Sequence, residues 1–379
     1  MDLTLLLLDE DSLHDHVFER YIELNSNSET LKQDLGILNR SETTLTIDIE
    51  PYIGLDDTSR SNGNSKNDRT KKRDKNRSKK KESAFNNDFY SLNIEQSLTS
   101  LNSSKDNNNS TTGYVLWSTT PFFLRWLLYH PTASVFRNGG DLEVIAMDSQ
   151  IEALKLPHHS IVDSKLKVPP IINYDNSNRE GFDCSIIELG SGVSGMTAVV
   201  LSNFVNDYIA TDQKGIISKL KQNISENLVQ ISKKECVSRS MDIGSEIVLE
   251  QNSETEAHKK PVVNLEVMPI DWETFDISKP ALLPMDFIRI SQSSNVVTII
   301  AMDVIYNEYL IDYFLKTLIQ LIDFFKKKNI QTHCLIGIHL RSQDIITEFL
   351  EKAIIENDLK VFSLTNDYLN SSRFSFYYI

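Results

Sequence analysis

The stretch 185–196, SIIELGSGVSGM, ends an apolar run in a G-x-G-x-x-G turn at Gly190, Gly192 and Gly195. Glycines of that spacing let a backbone approach a ligand closely. Asp212 closes a second apolar run 22 positions after Gly190. An acid there can bind a ribose, since its two carboxylate oxygens are acceptors matched to two hydroxyl donors. Dinucleotides and S-adenosylmethionine both carry an adenosine ribose. These residues therefore admit hydride transfer and methyl transfer alike.

Three further features bear on the choice. Glu188 stands just before the turn, in E-L-G-S-G. A carboxylate beside the ligand is unfavourable near a pyrophosphate and favourable near a sulfonium cation. Asp271-Trp272 follows a third apolar run, where a ring and polar groups can flank an adenine. Asp303-Val-Ile-Tyr306 caps a fourth. The carboxyl ends of parallel strands are where α/β sheets collect ligands and chemistry. The plain alternatives are a turn cap for Asp303 and core packing for Trp272 and Tyr306.

The elements that would hold these residues alternate from Gly113 onward. Apolar runs at 184–189, 208–211, 262–268, 296–302 and 334–339 read as strands. Helical spacing covers 193–204, 214–231, 309–325 and 342–356. Two closely spaced strands at 359–363 and 373–378 predict a C-terminal antiparallel hairpin. The fold class is α/β, a doubly wound, Rossmann-like sheet of about seven strands. A small extension over residues 1–57 precedes it, with helical character at 14–24 and a half-buried strand pattern at Leu45, Ile47 and Ile49.

Residues 58–111 differ in composition. They are rich in Lys, Arg, Asn and Ser, including KKRDKNRSKKK at 71–81, and read as a disordered linker. An apolar patch at 89–94 can dock locally. The basic run can contact RNA weakly or serve as a nuclear address, with a solvated linker as the plain alternative. The 379 residues carry a net charge of −14, which argues against a nucleic-acid footprint over the whole surface. Three well-separated cysteines point to a reducing compartment, with Cys184 and Cys334 in apolar runs. Leu3–Leu8 is too short for a signal peptide, and no segment has the ~20 apolar residues of a bilayer span. A monomeric cytoplasmic protein is expected, without a metal. The pair His158-His159 suits a loop better than a metal site, and His339 reads as structural.

Taken together, E-L-G-S-G, Asp212, Asp271-Trp272 and Asp303–Tyr306 resemble the seven-strand, S-adenosylmethionine-dependent protein lysine methyltransferases. The upstream T-G-Y-V-L-W-S at 112–118 is similar to that family's entry motif. L-D-E-D-S-L-H-D-H-V-F-E-R-Y and D-L-G-I-L-N-R near the N-terminus resemble its fungal members that act on a large-subunit ribosomal protein. The resemblance spans 1–57 and 112–379. It implies that Trp117 packs on the cofactor, that Gly190, Ser191 and Gly192 approach its amino-acid part, and that Asp212 binds its ribose. It further implies that Trp272 flanks the adenine, that Met302 touches the cofactor, and that Asp303 and Tyr306 face the substrate lysine. Core packing is the rival reading for Trp117, which lies in the apolar stretch 117–129.

Two rival functions stand beside this one. A nicotinamide-dependent oxidoreductase would need a hydride-handling acid–base pair, and none is identifiable. A non-catalytic ribosome-binding protein would use only the basic linker and the acidic body. D-V-I-Y in place of N-P-P-[YF] disfavours nucleic-acid and glutamine methylation.

Overall fold

The computed structural model describes residues 2–27, 36–51, 89–98, 112–147, 159–174, 183–244, 260–279 and 284–379. The basic run at 71–81, the polar stretch 245–259 and His158 lie outside the described residues.

In chain order the strands are β1 (Thr4–Leu8), β2 (Thr44–Ile49), β3 (Tyr90–Glu95), β4 (Gly140–Met147), β5 (His159–Val168), β6 (Cys184–Leu189) and β7 (Asp207–Asp212). There follow β8 (Glu235–Val237), β9 (Val262–Pro269), β10 (Val296–Met302), β11 (Gln331–His339), β12 (Val361–Thr365) and β13 (Phe374–Tyr378). The helices are α1 (Leu13–Ser26), α2 (Thr119–Tyr129), α3 (Ser134–Asn138), α4 (Met196–Leu201), α5 (Lys214–Glu226), α6 (Met285–Ser293), α7 (Glu308–Lys326), α8 (Gln343–Glu351) and α9 (Asp367–Asn370).

Eleven strands form one sheet in the order β5-β4-β1-β12-β13-β11-β10-β6-β7-β9-β8. The expected count of about seven is therefore too low. The four strands that sequence reading missed are β1, β4, β5 and β8. β1 is an apolar run of only five residues, and β8 has three. β4 and β5 carry charged residues among their apolar ones, as an antiparallel pair at the sheet margin can. His159 opens β5 instead of lying in a loop.

β6 pairs in parallel with both β7 and β10. Strands therefore leave it in two directions, β7 and β9 one way, β10 and β11 the other. The carboxyl ends of β6, β7 and β10 converge at that reversal, where an α/β sheet opens a crevice. The sheet is buried on both faces. Cys184 and Ile186 of β6 join a core with α2, α4 and α5. Ile187 and Leu189 join the other core, with α1, α6, α7 and α8. This alternation explains why β6 and β10 read as continuous apolar runs. The C-terminal hairpin is present, with β13 antiparallel to both β11 and β12.

The N-terminal residues are built into this body. β1 lies antiparallel to β12 and parallel to β4. On α1, Arg20 is buried and reaches the hairpin. It donates to Ser375 Oγ at 3.2 Å, to the Asn370 carbonyl at 3.0 Å and to the Phe374 carbonyl at 3.2 Å. Residues 36–38 lie beside the entry stretch, with Ser118 N–H donating to the Gly36 carbonyl at 2.7 Å and Leu38 N–H to the Leu116 carbonyl at 3.0 Å.

β2 and β3 form a separate antiparallel pair, in register from Thr44↔Glu95 to Ile49↔Tyr90. The reading of 58–111 as linker is corrected here, because β3 falls within it. Asn223 of α5 and Asn227, which caps that helix, complete the exposed side of β3. Asn223 and Asn227 each accept from one backbone N–H of that strand at 2.9 Å and donate to one carbonyl at 2.8 Å. They act as a surrogate neighbouring strand and satisfy groups that an edge would leave open.

Candidate active site

The turn after β6 is set by its glycines. Gly190 has φ +74°, and a Cβ there would stand 2.6 Å from Val304 Cγ1. Only glycine fits that close approach with that backbone. The N–H groups of Gly190 and Ser191 both donate to the Thr211 carbonyl, at 3.0 and 2.9 Å. The turn is thereby tied to the end of β7.

Asp212 at that end completes the tie. Its Oδ2 accepts from Gly192 N–H at 2.8 Å, and its Oδ1 from Gln213 N–H at 2.7 Å. Each carboxylate oxygen has two lone-pair sites, so each keeps capacity for one more donor. Glu188, inside β6, is buried. Its carboxylate accepts from Thr197 and from Tyr208, the latter at 2.9 Å.

Across the reversal, β10 delivers Met302 and Asp303. Asp303 leaves the strand with φ +64° and donates its N–H to the Gly337 carbonyl at 2.6 Å. This turn aims a buried carboxylate at the crevice. Its Oδ1 accepts from His339 N–H at 3.2 Å and pairs with the Arg341 guanidinium. Arg341 lies over the Trp117 ring, 4.6 Å from its centroid, and Trp117 Nε1–H donates to the Thr112 carbonyl at 2.9 Å. Trp272 packs edge-on against Phe314, with centroids 5.2 Å apart.

These ends enclose one cleft of about 860 Å³, counted to its open mouth. That is within the usual range for small-molecule sites. All ten residues singled out from sequence line it: Trp117, Glu188, Gly190, Ser191, Gly192, Asp212, Trp272, Met302, Asp303 and Tyr306. Its charged lining is of one sign. Glu188, Asp212, Asp271, Glu273 and Asp303 contribute carboxyl groups, and no Lys, Arg or His is among the lining residues described.

The chain is 45% identical over 375 residues to the ribosomal lysine N-methyltransferase 5 of Vanderwaltozyma polyspora, covering 99% of each chain. It is 44% identical over 386 residues to the protein of that name from Saccharomyces cerevisiae (strain RM11-1a), covering 100% of each. The chain belongs to the ribosomal lysine N-methyltransferase 5 family. No family model matches it. Among solved structures, a human methyltransferase 10 domain containing protein aligns over 53% of this chain and 72% of its own, at 12% identity and a TM-score of 0.28, too distant to argue from.

In this member of the ribosomal lysine N-methyltransferase 5 family, burial dominates the electrostatics of the cleft. It pushes the Asp212 carboxyl up to about 6, against the lowering effect of the Gly192 and Gln213 N–H groups. Burial also raises Glu188, opposed by its hydroxyl donors. Asp303 is raised by burial as well, with Arg341 and the His339 N–H pulling the other way. Asp303 already has its counter-charge in Arg341, whereas Glu188 and Asp212 have no cationic partner among the described residues and would be relieved by a bound cation.

Sequence reasoning missed Arg341 and Thr119, both beside Asp303. Neither belongs to a local motif with it. A usable signal existed for Arg341, since it follows the carboxyl end of β11, the strand next to β10. His339, read as structural, does contribute, but through its backbone N–H.

Proposed function

We propose that this chain transfers one methyl group from S-adenosylmethionine to a lysine of a large-subunit ribosomal protein, acting as a cytoplasmic monomer. The relatives' name supplies the reaction class and the ribosomal target. The observation that carries the reading is the lining of five carboxyl groups without a basic side chain. A dinucleotide pyrophosphate would be repelled there, whereas a sulfonium and a substrate ammonium are attracted.

The residues present fit this cofactor. Asp212 retains acceptor capacity for a diol, and Trp272 supplies a ring for a base. Gly190, Ser191 and Gly192 would lie along its amino-acid part, with Trp117, Glu188 and Met302 around it. When bound, it supplies an activated methyl group whose transfer needs only an aimed, neutral amine. Free lysine has a pKa of about 10.4, so the amine must shed a proton in the cleft. Asp303 would receive the ammonium by hydrogen bonding and orient it. Tyr306 would hold the same group by its ring face or hydroxyl. Burial beside a cation then favours the neutral amine.

Within the eleven-stranded sheet, we read β9-β7-β6-β10-β11-β13-β12 as a seven-strand methyltransferase core to which β1, β4, β5 and β8 are additions. The basic run at 71–81 would contribute at most a weak ribosomal RNA contact.

The test is incubation of the purified chain with labelled S-adenosylmethionine and a ribosomal lysate, followed by mass spectrometry of the labelled band. A large-subunit protein carrying one methyl group on lysine is expected. Calorimetry gives the opposing result a form: tight binding of a nicotinamide dinucleotide, with no response to S-adenosylmethionine, would remove this reading.

A further inference from the structure

Asp303 has two unequal oxygens. Oδ1 is held by the His339 N–H and the Arg341 guanidinium. Oδ2 is buried and meets no donor in good hydrogen-bonding geometry among the described residues; the Thr119 hydroxyl lies close enough to favour the ionised form, and even so the oxygen keeps a lone-pair site for a further donor. A buried carboxylate oxygen short of donors is costly unless a ligand completes it. Arg341 is itself well fixed. Its side chain is only 15% exposed, its guanidinium lies over the Trp117 ring, and that ring is pinned through Thr112. Both Asp303 and Trp117 line the cleft.

We propose that Arg341 is a positioning residue of the methyl transfer: it fixes Asp303 so that Oδ2 receives the substrate amine, and its charge offsets the negative charge that this amine meets. This rests on the lysine methyltransferase reading above. A lone buried carboxylate has two ways to fail. It can take up a proton and lose its hold on the ammonium, or it can stay charged and hold the lysine protonated. A guanidinium on its far oxygen counters both. It keeps the carboxylate ionised, and it leaves the amine facing a neutral pair, from which a proton departs more easily.

Among the described groups acting directly on Asp303, Arg341 is the only cation. His339 contributes its backbone N–H, Thr119 a hydroxyl, and Tyr306 a phenol in the same cleft. On α1, Tyr21 faces Arg341, with Arg373 and Asp344 also near it, and burial keeps that phenol protonated. Glu188 and Asp212 line the same cleft and add negative charge only.

The experiment compares the full chain with R341M and R341K, measuring S-adenosylmethionine affinity, kcat and KM for the substrate protein, and the pH profile of kcat. For R341M we expect donor affinity within about twofold of the parent, and kcat reduced about tenfold or more at pH 7. That deficit shrinks to within about threefold by pH 9, because one missing charge displaces the profile by about one unit or more. R341K should recover most of the pH 7 rate. A deficit in R341M that is the same at every pH, or an R341K no better than R341M, overturns the proposal. So does loss of donor binding in both variants, which would mark Arg341 as merely structural. An unmodified chain without methyl transfer activity would instead remove the functional reading, and this proposal with it.

Discussion

At Asp303 the backbone has φ +64°, a conformation that costs most L-residues about 1–2 kcal/mol and that Asp and Asn tolerate best. The substitution that separates charge from shape is therefore Asp303→Asn. It should lower methyl transfer at least ~100-fold while donor affinity changes little, because the group meets the lysine and not the adenosine. It also leaves Arg341 without its counter-charge, so thermal denaturation should show a loss of about 3 kcal/mol. Donor binding lost along with activity would mean that Asp303 belongs to the cofactor site. Asp212 gives a different, pH-dependent signature. Its carboxyl titrates near 6, above its ordinary 3.8, because burial opposes the charge. Folding raises this pKa, so the group costs stability above pH 6, and that cost fades as pH falls towards 3.8. A ribose needs the ionised form. Calorimetry from pH 8 to pH 5 should thus show S-adenosylmethionine affinity falling below about 6, by up to about tenfold per unit. Glu188 and Asp303 are displaced in the same direction. Asp212→Asn separates them from Asp212, since it should bind weakly at every pH and lose this inflection.

Elements bring these residues together, and here legibility from sequence varied with the kind of signal. The β6 turn, β7, β10 and the C-terminal hairpin were readable because two-sided burial gives continuous apolar runs with turn residues after them. Residues at or near their carboxyl ends followed directly, while Trp117, which precedes α2, was assigned only through the family resemblance of the 112–118 motif. β1, β4, β5 and β8 escaped because short or marginal strands carry neither long runs nor clean alternation. Arg341 escaped because its pairing with Asp303 depends on β10 and β11 being neighbours, a fact of sheet order. The turn itself offers an element-scale test. Gly190→Ala would place a methyl group 2.6 Å from Val304 Cγ1, on a residue with φ +74°. The turn or the 303–306 segment then has to shift. Stability should fall by about 2 kcal/mol and donor affinity by tenfold or more, read by thermal denaturation and calorimetry. An alanine variant with unchanged donor affinity would show that the turn does not approach the cofactor.

For the molecule as a whole, the question is how the long segment 52–88 relates to the body. It joins β2 to β3, and those strands pair up to their last residues, Ile49 opposite Tyr90. Partners across an antiparallel pair lie about 5 Å apart, so a short turn can close the gap that 37 residues now span. The anchoring of β3 does not require the segment, since it runs through β2, Asn223 of α5 and Asn227 at that helix's end. Replacing 52–88 by a short Asn-Gly turn should therefore leave the thermal midpoint within a few degrees and turnover on a minimal substrate within about twofold. The basic run at 71–81 goes with the segment. If it touches ribosomal RNA, the replaced chain should bind large subunits more weakly at low salt and differ less as salt rises, because phosphate contacts are screened. A large loss of turnover on the minimal substrate would instead make the segment part of the active unit, since β2 and β3 keep their own contacts with the body in either case.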